Sequence, residues 1–411
     1  MLGIRSVVAH TAESLAREVE RLHRSGRSDD AFTLAVECAQ RFPRSALALT
    51  NAGYFYVLRG EGARAAEFYE AALRIVPDNQ EARRGLAVAK TQLGVVTHGN
   101  SIARMPFRGE GRALEVLVIV TLGSGNVVTE GLFDDRAVCV TKLAVELHPP
   151  EAPLPAHDLI FNAVGDADSA PAALARVREL VARSDRAVLN APQHVERTGR
   201  VEQAQRLASV EGVRSARIER FTRASARELR FPALVRAAGF HAGAHFVRVE
   251  TAAALDAALA TMPDERLLAI EPLDLREDDG TYVKYRVMIV DGALYPLHLA
   301  ISRDWKVHYF SALMAEHAPY REREARFLDD PRTALGTSAW EALQRVAAAT
   351  ALDYAGIDFG LDDLGNVVVF ETNATMAVRY PPDEPMWRYR RPAVDAILDA
   401  VTAMLRRYSS I

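Results

Sequence analysis

Residues 353–375, DYAGIDFGLDDLGNVVVFETNAT, constrain this chain most, because two alternating runs flank the turn-forming DDLGN in the pattern of a β-hairpin. A tight turn at Leu364 and Gly365 sets Asp358 directly opposite Glu371. Asn373 follows two residues on and shares a face with Glu371, since strand side chains alternate. A bulged turn would slip the register by one, yet Glu371 and Asn373 stay together either way. Three oxygen ligands thus converge beside Gly356, whose missing side chain leaves room over the neighbouring strand. Such oxygens suit a hard cation such as Mg²⁺, which bridges carboxylates to nucleotide phosphates. The alternative is solvated charge on an edge hairpin.

The rest of the chain must supply what surrounds that hairpin, and 411 residues are too many for one ordinary core. Two to four units are expected at about 100–200 residues each. Hydrophobic residues at 49% and charged residues at 25% give the balance of a globular protein with a large core. A net charge of −4 offers no electrostatic case for binding nucleic acid or an anionic membrane. Cys38 and Cys139 sit in no CxxC or Cys/His cluster, so neither a disulfide framework nor a zinc site is expected. No stretch approaches the ~20 apolar residues that span a bilayer, and the first residues lack a secretory h-region. A cytoplasmic protein without a membrane partner is the expectation.

At the front, Pro43 and Pro77 lie 34 residues apart, each closing an Ala-rich helical segment. Small residues Gly53, Ala65 and Ala72 and large residues Tyr54, Tyr56 and Tyr69 fall where two antiparallel helices need close approach and filling. The segment ALALTNAGYFYVLRGEGARAAEFYEAALRIVP resembles a tetratricopeptide repeat; the segment before it is a weaker copy, and residues 80–94 read as a capping helix. An all-α tetratricopeptide-like module over 1–97 and a linker over 98–112 are therefore expected. About two repeats bury little surface alone, so the module should lean on the rest of the chain or on a second copy, as in a homodimer. The other reading is a docking groove for a peptide or carrier protein.

Residues 113–195 carry short β-branched runs, LEVLVIVTLG, AVCVTKLAVEL and HDLIFNAVG, then a helix over 172–184 and a strand over 186–192. They predict a small parallel α/β domain. The glycines of TLGSGN are too incomplete a pattern for a phosphate loop. Residues 196–275 and 276–411 predict two lobes of a mixed α+β unit, with one strand near 214–221, a hairpin over 281–302 turning at Asp291 and Gly292, and a C-terminal helix. Lys284, Arg286 and Met288 share one strand face, two basic groups suited to phosphate.

Asp358, Glu371 thirteen positions on, and Asn373, on a hairpin near the C-terminus, resemble the magnesium-binding signature of ATP-grasp enzymes such as glutathione synthetases and D-alanyl-D-alanine ligases. The resemblance covers about residues 113–405 and implies an ATP-grasp fold, ATP, and two Mg²⁺ ions held by those three residues. FPALVRAAGFHAGAHF is similar to the family's strand, lysine and flexible phosphate loop, which implies Arg236 in the lysine's place and Gly239 and Gly243 in the loop. Arginine is a planar fork and not equivalent to lysine. The resemblance further implies Arg200 on the phosphates, and LLAIEPLDLRED as adenine hinge, with Glu271, Leu273 and, for the ribose, Glu277. Lys284 and Arg286 take the catalytic basic positions. His241 and His245 make a poor zinc pair in their Gly/Ala loop and are expected near substrate, with His298, Ser302, Arg303, Lys306, His308 and Arg379.

The activity implied is ligation of a small-molecule carboxylate to an amine or other nucleophile through an acyl phosphate, in specialised peptide metabolism. The alternatives are an ATP-grasp kinase or phosphotransferase, or a degenerate nucleotide-binding scaffold carrying a protein-interaction module.

Overall fold

The computed structural model describes residues 11–24, 27–59, 61–92, 102–237, 245–260, 262, 266–307 and 312–409. Five helices come first: α1 (Ala12–Arg24), α2 (Ser28–Arg41), α3 (Ala46–Leu58), α4 (Gly62–Ile75) and α5 (Gln80–Gln92). Each packs on the next, and α3 also touches α1 and α5. The Ser45 hydroxyl starts α3 by accepting from the amide of Ala48. A helix normally disfavours glycine, but here two glycines admit one aromatic ring. A Cβ on Gly85 would lie 2.1 Å from Tyr69, and one on Gly53 would lie 2.9 Å from it. Tyr69 is only 3% exposed and has nowhere to retreat. Gly85→Ala is therefore expected to cost about 1 kcal/mol or more by overpacking, although alanine is the better helix former. Denaturant unfolding of the full chain reads this, and a stabilised variant would show that the ring is not clamped.

The first sheet holds β1 (Ile102–Arg104), β2 (Leu114–Val120), β3 (Val138–Ala144), β4 (Leu159–Asn162) and β5 (Val188–Leu189) in the order β1-β3-β2-β4-β5, with α6 (Pro171–Val181) between β4 and β5. Strands β2 to β5 pair in parallel, the arrangement their near-continuous apolar runs require. Residues 102–104, within the expected linker, form β1 and pair antiparallel with β3.

After α7 (Pro192–Val195) and α8 (Arg200–Leu207), the single strand expected near 214–221 is two, β6 (Val213–Ser215) and β7 (Ile218–Phe221). Strand β7 enters a four-stranded antiparallel sheet with β8 (Ala233–Ala237), β9 (Phe246–Val249) and β10 (Leu267–Ile270), backed by α9 (Ala252–Leu259). Strand β6 enters a larger sheet with β11 (Tyr282–Val290), β12 (Ala293–Ser302), β13 (Tyr354–Leu361) and β14 (Val367–Asn373), ordered β12-β11-β13-β14-β6. The break at Ala216 and Arg217 lets one segment join both sheets. Helices α10 (Ala318–Asp329) and α11 (Pro331–Leu335) occupy a stretch that sequence periodicity left unassigned, ahead of α12 (Thr337–Thr350) and α13 (Arg391–Ser409).

The β11–β12 turn falls at Asp291 (φ 51°) and Gly292 (φ 77°), the paired positive angles of a two-residue hairpin. One apolar core, with Phe161, Tyr354 and Phe359 among its buried rings, runs through the first and large sheets. Asn190 fastens them together: its amide donates to the Tyr354 carbonyl at 2.8 Å, and its side-chain oxygen accepts from the Tyr354 N–H at 2.9 Å. Among the described residues, no helix is long and apolar enough to cross a membrane.

Candidate functional site

The β13–β14 hairpin pairs Leu361 with Val367, which leaves a five-residue loop instead of the expected two-residue turn. Register then shifts between Asp358 and Phe359, Phe370 bulges outward at 41% exposure, and Asp358 lies opposite Glu371. Loop and bulge each displace the register by one, in opposite senses, so they cancel at the carboxylates. On the other side of β13, Arg286 pairs with Asp358.

Asp358 is buried and fully engaged. Lys284 Nζ donates to Oδ2 at 3.0 Å, and Arg286 donates to Oδ1 at 2.5 Å and to Oδ2 at 2.8 Å. Burial would raise this carboxyl; Arg286 and Lys284 overcome it and hold it well below the usual carboxylate range. Glu371 Oε1 accepts from Arg200 Nη2 and from the Asn373 side-chain amide, each at 2.6 Å. Arg200 is kept charged against the effect of burial by Glu371, Asp168 and Asp166. Its amide donates to Asp168 at 3.2 Å.

Sequence reading missed those two aspartates. Their signal was available: DAD follows β4, and the carboxyl ends of parallel strands are where open α/β sheets meet their ligands.

A cavity of about 960 Å³ opens between the small sheet, the large sheet and the helical module, and Asp358, Glu371, Asn373, Lys284, Arg286 and Arg200 all line it. Arg236, at the end of β8, lines it too; burial, then nearby Arg200, push its guanidinium down to about 9. His245 and Lys306 stand on the same wall, and burial lowers both, His245 to about 4. Glu271 and Leu273 line the cavity beyond β10. His298 is buried on β12, its pKa driven down by desolvation and then by Arg286. Arg379 joins Glu61 of the helical module in an ion pair.

Three expected residues stand elsewhere. Glu277 takes two hydrogen bonds at 2.6 Å from Arg323 and is not among the cavity residues, whereas Asp274 on the same segment is. Ser302 ends β12 outside the cavity, and Arg303 is exposed beside it. Gly239, His241, Gly243 and His308 lie outside the described residues.

Whether these residues suit magnesium turns on the donor set. Among the described residues, no three His, Cys, Asp or Glu side chains are arranged to hold a metal ion. Two carboxylates and an amide oxygen are donor types that fit an ion that keeps waters and shares substrate phosphates, although the Asp358 and Asn373 oxygens already accept from Lys284, Arg286 and Thr375. The surrounding cations, Lys284, Arg286 and Arg200, suit a polyanion at the same place.

No known family's sequence profile and no curated protein sequence matches the chain. In structure it is similar to the VanG D-Ala:D-Ser ligase of Enterococcus faecalis, at 14% identity and a TM-score of 0.46 over 72% of this chain and 100% of that one. It is similar to the D-alanine–D-alanine ligase of Bacillus anthracis, solved with ATP, at 14% identity and a TM-score of 0.45 over 73% and 99% of the two chains. It is also similar to an ATP-grasp RimK domain protein of Sphaerobacter thermophilus, at 13% identity and a TM-score of 0.46 over 71% and 99% of the two chains.

Proposed function

We propose that this chain is an ATP-dependent ligase of the ATP-grasp type that joins a carboxylate to an amine. One observation carries the reading: Asp358 and Glu371 face each other across a hairpin, each tied to part-buried basic side chains, in a cavity between two sheets. Paired acids beside clustered cations are what phosphoryl transfer needs, because its barrier falls mainly through positioning and charge neutralisation. A nucleophilic serine or cysteine is not required.

In this reading Arg200 and Arg236 hold the nucleotide phosphates, and Glu271 and Leu273 present backbone to the base. Magnesium, held by Asp358, Glu371 and Asn373, would neutralise charge on the transferring phosphoryl group. Lys284 and Arg286, both bonded to Asp358, stabilise the acyl phosphate formed when the substrate carboxylate takes the γ-phosphoryl group and ADP leaves. The amine then attacks the acyl carbon and releases inorganic phosphate.

A kinase would use the same residues but leave the phosphate on its product. Incubation with Mg-ATP and pools of acids and amines is therefore expected to release ADP and inorganic phosphate in equal amounts, and only when both co-substrates are present. ADP without free phosphate, with a phosphorylated product accumulating, would replace the ligase by a phosphotransferase.

A further inference from the structure

The cavity has a third wall that belongs to neither sheet. Helix α4 turns one stripe toward it, Arg64, Glu67, Phe68, Ala71 and Arg74, while Ala65, Ala66, Tyr69 and Ala72 pack into the helical module. Spacings of three and four residues place the first set on one helix face.

Two members of that stripe are bonded to each other and to the hairpin. Arg64 Nη1 donates to Glu67 Oε2 at 2.9 Å, and Nη2 donates to the Thr375 carbonyl at 3.1 Å. The amide and hydroxyl of Thr375 each donate to Asn373 Oδ1 at 2.9 Å, and the Asn373 amide donates to Glu371. The pair is thus fixed relative to the candidate metal ligands by successive hydrogen bonds, and Glu371 in turn favours the charge on Arg64.

Glu67 is 10% exposed, and among the described residues no donor reaches its second oxygen, Oε1. A buried carboxylate oxygen without a donor is costly, and a ligand N–H is what would satisfy it. Arg64 beside it has five N–H donors, of which these bonds use one on each terminal nitrogen. An acceptor and a guanidinium held side by side match a molecule carrying an amine next to a carboxylate.

Resting on the ligase reading, we propose that the helical module carries the nucleophile site, with Glu67 accepting from the amine and Arg64 binding the neighbouring carboxylate of a free amino acid. The module is then a wall of the reaction chamber rather than an adaptor beside it. Glu67 and Arg64 bind and orient; they touch no phosphate.

The test uses full-length wild type, Glu67→Gln and Glu67→Asp with Mg-ATP and pools of amino acids and dipeptides as the acid, supplying either hydroxylamine or a second amino acid as nucleophile. Hydroxylamine has no carboxylate and needs neither group, so hydroxamate formation is expected to be equal in all three proteins. With an amino acid as nucleophile, Glu67→Gln is expected to raise its KM about tenfold to a hundredfold with little change in kcat, and Glu67→Asp to raise it less. Wild type is expected to prefer the amino acid over its amide, and Arg64→Gln to lose that preference. An unchanged amino-acid KM in Glu67→Gln, or a parallel loss of hydroxamate and amide formation, overturns the assignment while the ligase reading stands. Absence of hydroxamate from wild type overturns the ligase reading itself.

Discussion

Glu371→Ala is expected to lower ATP-dependent phosphate release by about a thousandfold or more, because in the proposed ligase it removes an acid aimed at the transferring group from a preorganised site. The fold should survive. Glu371 is 25% exposed on its side chain, and the cation it partners, Arg200, keeps Asp168 and Asp166 nearby. A cooperative melt close to that of wild type, together with lost turnover, is the expected pair of results. Turnover that persists at the wild-type rate would remove Glu371 from the site.

Asp358→Ala should behave differently, although the two acids face each other. Asp358 is 6% exposed on its side chain, and its partners Lys284 and Arg286 are 13% and 21% exposed. Removing it leaves two part-buried cations side by side without the carboxylate they are bonded to, and with Glu371 still favouring the charge on Arg286, a change expected to cost about 3 kcal/mol. Asp358→Asn should fall between, since it keeps the shape and loses the charge. Thermal and denaturant unfolding read this directly, and a Tm within error of wild type would show that the cations are solvated.

The same ion pairs fix how wild type responds to acid. The folded pKa of Asp358 lies well below the ordinary carboxylate value. Its contribution is therefore complete above that ordinary value and lost only as pH falls toward the lower folded one. Asp358→Ala should accordingly flatten the acid limb of the stability curve.

The two variants separate two properties that one signature combines. A carboxylate can serve a site and also be the counter-ion that lets basic residues be buried beside it. The pairing of Arg286 with Asp358 across β11 and β13 makes the second role unavoidable. If the helical module supplies Glu67 and Arg64 as proposed, a third element joins the same charge network through Thr375 and Asn373.

Local pattern sufficed for what local physics controls. Alternation placed Glu371 and Asn373 on one strand face, Asp291 and Gly292 supplied the positive φ angles of a hairpin, and the spacing of Pro43 and Pro77 marked helices that do form. Even the pairing of Asp358 with Glu371 was legible, although a loop and a bulge had to cancel to produce it. Other features depended on partners distant in sequence. The division of residues 213–221 between two sheets follows from which strands lie alongside, β14 for one half and β10 for the other. Glu277 went to Arg323, 46 residues away, rather than to the cavity. Arg64 meets Thr375 across 311 residues, and no periodicity encodes such a contact. The sequence by itself determined strand parity, turn chemistry and helix spacing, because each is set by a few neighbouring dihedrals. Only the tertiary structure decided which charges neutralise one another and which helix face closes the cavity, because burial and Coulomb energy depend on distance in space.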